Sequence, residues 1–122
     1  MGRYSGRTEM WIKVYRREAL ADQNGRCAYC CEPLRPGEAT ADHKVPHIKG
    51  GPVSRKNIAA ACYACNQAKG SLSTGEFMNL IRGREAPRGA SIWMLRAWMR
   101  RRLALRTDRS CRRILKSVGV AA

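Results

Sequence analysis

The sequence predicts a small α+β domain stapled by a structural metal, on three observations. The chain has 122 residues, which suits one domain with a modest core. Two C-x-x-C pairs, Cys27/Cys30 and Cys62/Cys65, stand 31 residues apart. Between them lie one short strand-like stretch and one segment of ambiguous preference, and on either side lie helical patterns. The expected organisation is a single domain over 1–122: an N-terminal helix at 8–25, a zinc-bound core at 26–72, and a basic helical extension at 73–122.

Taken in order, Thr8 can cap a helix through about residue 23, with Trp11, Val14, Tyr15 and Leu20 as a partial apolar stripe. Asn24-Gly25 ends it. Residues 27–38 form a turn region rich in Cys, Pro and Gly. Residues 39–45 read as a short strand closed by the loop from Pro46 to Pro52. The stretch NIAAA at 57–61 is ambiguous, because alanine favours helix. Tyr63 to Gly70 reads as a turn or two of helix. Ser73 and Glu76 have the spacing of a capping box and open a helix to about Arg82, with Gly83 as the stop. Ser91 caps a helix from Ile92 to about Arg106, and Asp108 opens another through Ser117.

The cysteine pairs carry the first chemical signal. Tetrahedral zinc takes four thiolates at about 2.3 Å, and a two-residue spacer lets one turn offer two of them. Two such turns close a site with no open position, so the expected Zn²⁺ is structural. The competing reading is four reduced, buried cysteines spaced in pairs by chance. Cys31 and Cys111 are left over: Cys31 reads as a free thiol, with competition for the metal as the alternative, and Cys111 as a packed residue of the final basic helix.

The formal charge is +15, from 24 Lys plus Arg against 9 Asp plus Glu. Residues 73–122 carry 12 basic and 3 acidic residues, so +9 of the +15 falls there. Such an excess points to a polyanionic partner, nucleic acid before an anionic membrane. No apolar run approaches the roughly 20 residues that span a bilayer. The first residues lack a secretory apolar region and fit the myristoylation pattern poorly. The expectation is a soluble chain in the cytoplasm, where cysteines bind metal more often than they form disulfides.

A metal staple does not account for Asp42-His43, Asn57 or Asn66. From Cys27 onward the chain runs C-x-x-C, DH, KGG, N-I, C-x-x-C-N and K-G. This order resembles the HNH endonuclease family, in its version with four zinc-binding cysteines around a ββα-metal, treble-clef-like core; the resemblance covers roughly residues 18–70. It implies that Asp42 is a carboxylate ligand of a catalytic divalent metal and that His43 is the general base acting on water. It implies that Asn57 holds the loop and the histidine in place, that Asn66 is a second metal ligand, and that Lys69 meets phosphate. The third letter of the motif is often histidine, and here it is Asn66.

The chemistry agrees with those roles. A histidine with an ordinary pKa near 6.5 can take a proton at neutral pH. Phosphodiester cleavage also needs a Lewis acid, and the oxygen donors of Asp42 and Asn66 favour a hard ion, Mg²⁺ or Mn²⁺. His47 fits two readings equally, a third ligand or phosphate contact and an ordinary loop histidine.

On the 92–106 helix, Met94, Leu105, Trp98, Leu95, Met99, Ile92 and Leu103 cover about half the circumference, interrupted by Arg102 and Arg106. That half is expected to pack on the zinc module, with Arg96, Arg100 and Arg101 facing out toward phosphates of DNA, expected double-stranded. A membrane-lying helix is the lesser reading. The resulting expectation is a metal-dependent DNA endonuclease of the small type that bacteriophages encode, with a packaging terminase as a conceivable partner and a homodimer as one route to cutting both strands. The rivals are a non-catalytic zinc module that binds nucleic acid and a packaging adaptor. Asp42, His43 and Asn66 separate them, because pure binding has no need of that trio.

Overall fold

The computed structural model describes residues 4–107; the expected helix from Asp108, and Cys111, lie outside the described residues. Among the described residues, four α-helices pack around a two-stranded sheet: α1 (Gly6–Asp22), β1 (Thr40–His43), β2 (Ile58–Ala61), α2 (Tyr63–Lys69), α3 (Thr74–Ile81) and α4 (Ile92–Thr107). No helix among the described residues is long and apolar enough to cross a membrane.

Helix α1 begins earlier than expected. Ser5 caps it in place of Thr8, accepting the Thr8 amide on its hydroxyl. It stops at Asn24-Gly25, whose φ angles of 55° and 74° take the left-handed turn that ends a helix. Its last turn carries the buried Ala19 and Leu20 onto β2.

The ambiguous NIAAA segment is a strand from Ile58. It pairs antiparallel with β1, with Asp42 opposite Ala59 and His43 opposite Ile58. Alanine's helix preference loses here to tertiary pairing. The side-chain amide of the fully buried Gln23 donates to the Ala60 carbonyl at 2.8 Å and accepts the Ala60 amide at 3.1 Å. A side chain thus pairs with the strand's open edge as a neighbouring backbone would. Small side chains let α1 approach that edge closely.

The capping box at Ser73 and Glu76 forms as the sequence predicts. Ser91 likewise caps α4, accepting the Met94 amide at 3.1 Å. The orientation of α4 differs from expectation. Its inward line is Met94, Ala97 and Arg101, whereas Ile92, Met99 and Leu103 are exposed. Arg101 is only 3% exposed, and its guanidinium donates to the Tyr29 carbonyl at 3.1 Å. The helix-wheel reading fails because it sorts residues by polarity alone. The cysteine-bearing turn under α4 presents a backbone oxygen that needs a donor, and arginine supplies one. The core is continuous from that turn through α2 and α3 to α4, with Phe77, Met78, Ile81 and Met94 filling it.

Candidate metal centre and catalytic cavity

The first cysteine turn is tightened by the Cys31 amide donating to the Cys27 carbonyl at 3.1 Å, with Cys31 itself at a φ of 63°. The second cysteine pair sits at the N-terminus of α2, where Cys62 is the cap and its sulfur accepts the Cys65 amide at 3.3 Å. The ligand atoms of Cys27, Cys30, Cys62 and Cys65 all lie within 4.8 Å of one another, and all four residues are buried. The Cys30 and Cys62 sulfurs are 3.8 Å apart. Four bonds of about 2.3 Å to a tetrahedral ion require edges of about 3.8 Å, so the cluster is positioned to bind a metal ion. Backbone amides of Tyr29 and Cys62 also donate to the Cys27 sulfur, at 3.4 and 3.3 Å. Such donors suit thiolates better than thiols. Cys31 is buried beside the cluster without belonging to it.

The second constellation lies at the far end of the sheet. Asp42, His43, Pro46, His47, Asn66 and Lys69 line a cavity of about 250 Å³. The strand delivers Asp42 and His43 side by side, and α2 delivers Asn66 and Lys69 one turn apart. The structure therefore brings together Asp42, His43 and Asn66, which the sequence singled out, with His47 at the rim.

Asp42 is 3% exposed. Burial pushes its carboxyl above the ordinary range, and the Lys69 ammonium opposes that shift. Its Oδ2 accepts the Tyr29 hydroxyl, and its Oδ1 pairs with Lys69 Nζ at 3.1 Å. Lys69 also donates to the His43 carbonyl at 2.8 Å. Lys69, expected to meet phosphate, is 2% exposed and lines the cavity while holding the Asp42 carboxylate and the His43 backbone. At His43, Nε2 is 3.2 Å from the Tyr4 hydroxyl, and the two rings stack with centroids 6.1 Å apart. The same tyrosine meets His47 edge-on at 5.6 Å.

Asn57 governs the loop between the strands. Its Oδ1 accepts the Val45 amide at 2.9 Å, while Nδ2 donates to the carbonyls of Val45 and Pro52 at 3.1 and 2.9 Å. Both amide protons and one oxygen lone pair of that side chain are committed to holding residues 45–52 in place. Lys49 reaches across to Glu76 and ties the loop to α3.

The remaining basic candidates lie elsewhere. Arg96 is exposed and stands over Trp93 at 5.3 Å. Arg100 pairs with Glu32 at 2.9 Å and approaches the Cys62 sulfur at 3.9 Å. Both line a groove of about 500 Å³ together with Tyr63 and Trp93. Sequence reasoning missed Tyr29, Thr74 and Tyr4. Tyr29 fills a spacer position between two cysteines, where only the size of the side chain hints at a further task.

Residues 27–72 match the HNH endonuclease family. The HNH segment holds both cysteine pairs, both strands and all the cavity-lining residues named above. Over 66 residues the chain is 36% identical to the CRISPR-associated endonuclease Cas9 of Corynebacterium diphtheriae, an alignment covering 53% of this chain and 6% of that protein. The crystal structure of the Type II-C Cas9 enzyme from Actinomyces naeslundii superposes with a TM-score of 0.51 and 24% identity, covering 97% of this chain and 11% of that one. The second likeness is one of fold. The chain thus spans about a tenth or less of the length of these relatives.

Proposed function

We propose that the protein is a metal-dependent endonuclease that hydrolyses phosphodiester bonds of DNA. The observation that carries this reading is the convergence of Asp42, His43 and Asn66 on one cavity within the HNH segment. A module that only binds nucleic acid needs a basic surface, not a buried carboxylate beside an imidazole.

In this reading His43 accepts a proton from the attacking water. The Tyr4 hydroxyl, 3.2 Å from His43 Nε2, stands where such a water would sit within hydrogen-bond reach of a base. Asp42 and Asn66 offer oxygen donors across the cavity, a set that suits Mg²⁺ or Mn²⁺ over softer ions. A cation held there supplies Lewis-acid stabilisation of the charge that develops on the phosphate. Asn57 fixes the loop beside His43, and Lys69 fixes the Asp42 carboxylate. The four-cysteine cluster is a structural Zn²⁺ site, since it leaves no coordination position for substrate. Arg96 and Arg100 extend a basic surface on α4 along which a duplex can lie.

Supercoiled plasmid incubated with Mg²⁺ or Mn²⁺ tests the reading. Wild-type protein is expected to yield nicked or linear products, and His43→Ala to lose about 10²-fold or more of that rate while still binding DNA. Equal cleavage by the variant, or none by wild type in either ion, overturns it.

A further inference from the structure

Tyr29 lies inside the first cysteine turn, between Cys27 and Cys30, yet its far end reaches Asp42 from behind the cavity that Asp42 lines. The side chain is fully buried, with its ring edge-on to Phe77 at 5.1 Å. Its hydroxyl donates to Asp42 Oδ2 and lies 2.8 Å from the Thr74 hydroxyl, whose proton it can accept. The backbone carbonyl of the same residue accepts from the buried Arg101 at 3.1 Å. Tyr29 is therefore fixed at both ends, by the metal cluster and α4 on one side and by α3 on the other.

The packing around Phe77 explains an aromatic ring at this position but not its hydroxyl. A phenylalanine would fill the same space without a polar group to bury. The hydroxyl has a definite partner, a carboxylate oxygen of the residue assigned to the cation. A carboxylate has about four lone-pair directions. Tyr29 occupies one on Oδ2 and Lys69 one on Oδ1. The remaining directions include those facing the cavity that Asn66 and His43 share with Asp42.

We propose that Tyr29 is a positioning residue: it sets the Asp42 carboxylate for a divalent cation, and so makes the catalytic cavity's geometry depend on the four-cysteine cluster. This inference rests on the assignment of Asp42 as a cation ligand under the proposed function. Groups that orient a ligand from behind change metal affinity by about 10–100-fold when removed.

The test uses the full chain with its zinc. Tyr29→Phe keeps the ring and deletes only the hydroxyl. Zinc content and melting temperature are recorded first, then free Mn²⁺ is titrated by electron paramagnetic resonance without DNA, and cleavage is followed against Mn²⁺ concentration. The expected result is a rise of about tenfold or more in half-saturating Mn²⁺, with zinc content unchanged and most of the cleavage rate recovered at saturating Mn²⁺. Wild-type Mn²⁺ affinity in a zinc-replete Tyr29→Phe protein overturns the proposal. If that variant loses zinc, Thr74→Val decides, because it removes the donor behind the tyrosine without touching the cysteine turn. A weaker Mn²⁺ affinity in Thr74→Val supports the proposal, and an unchanged one overturns it. Wild-type protein that binds Mn²⁺ but cuts no DNA sinks the nuclease reading alone. Unchanged Mn²⁺ dependence in Tyr29→Phe beside an active wild type sinks this inference alone.

Discussion

At Gly51 a Cβ would lie 1.7 Å from the carbonyl oxygen of Val45 and 2.9 Å from Nδ2 of Asn57. Neither neighbour can give way, since one is backbone and the other is held by three hydrogen bonds. Gly51→Ala is therefore expected to cost about 1–3 kcal/mol in denaturant unfolding, the range for forcing atoms into filled space. Cleavage should fall with it, because the displaced loop is the one that follows His43. An alanine variant with wild-type stability would show that the loop re-forms without the Asn57 clamp. Asp42, His43, Asn57 and Asn66 are legible in the sequence through their order and spacing. The partners of Asp42 are not. Beyond its size, nothing local distinguishes Tyr29 from another spacer residue, and its contact with Asp42 exists only after distant parts of the chain have folded against each other.

The elements show the same division. Ser73 and Glu76 announce the start of α3 by themselves, since capping is a local interaction. The β2 strand is the opposite case: four small or branched residues carry no clear periodicity, and the strand is defined by β1 and by the Gln23 amide on its other edge. At α3, hydrogen bonding to the Lys49 ammonium, and then to the Ser73 backbone and hydroxyl, lowers the Glu76 carboxyl from 4.5 to about 2. A carboxyl lowered on folding contributes its stability above the unfolded pKa and loses it as pH falls through the folded one. Glu76→Gln should thus melt below wild type near neutral pH, and the gap should narrow as pH falls from 4.5 toward 2. The pair is exposed, so the gap is expected to be small and to shrink in salt. Melting curves of the two proteins at several pH values check this; a gap that is constant with pH would remove the carboxylate from the account.

At the scale of the whole molecule, a sheet of two four-residue strands cannot hold four helices together unaided. The four cysteines occupy the middle of the core, so a metal ion bound there would couple its binding to folding. The expected content is one zinc per chain. A strong chelator should lower the melting temperature and reduce helical circular dichroism, with both restored by added Zn²⁺ but not by Mg²⁺. A chelated protein that keeps its melting temperature would mean that the core stands without the ion. The cysteine cluster and the order of the helices are legible in the sequence, because cysteine pairs and helix caps are local signals, whereas β2 is not. The inward turn of Arg101 is not, since only the assembled cysteine turn creates the carbonyl that draws it in. That contact has a consequence for modularity. The segment that matches the HNH endonuclease family ends at residue 72, but Thr74, Phe77 and Arg101, which brace Tyr29, all lie beyond it. Anyone transplanting this centre into another scaffold would have to cut after α4, because a graft trimmed to the matched segment would carry all four clustered cysteines and the cavity residues while leaving the bracing of Tyr29 behind.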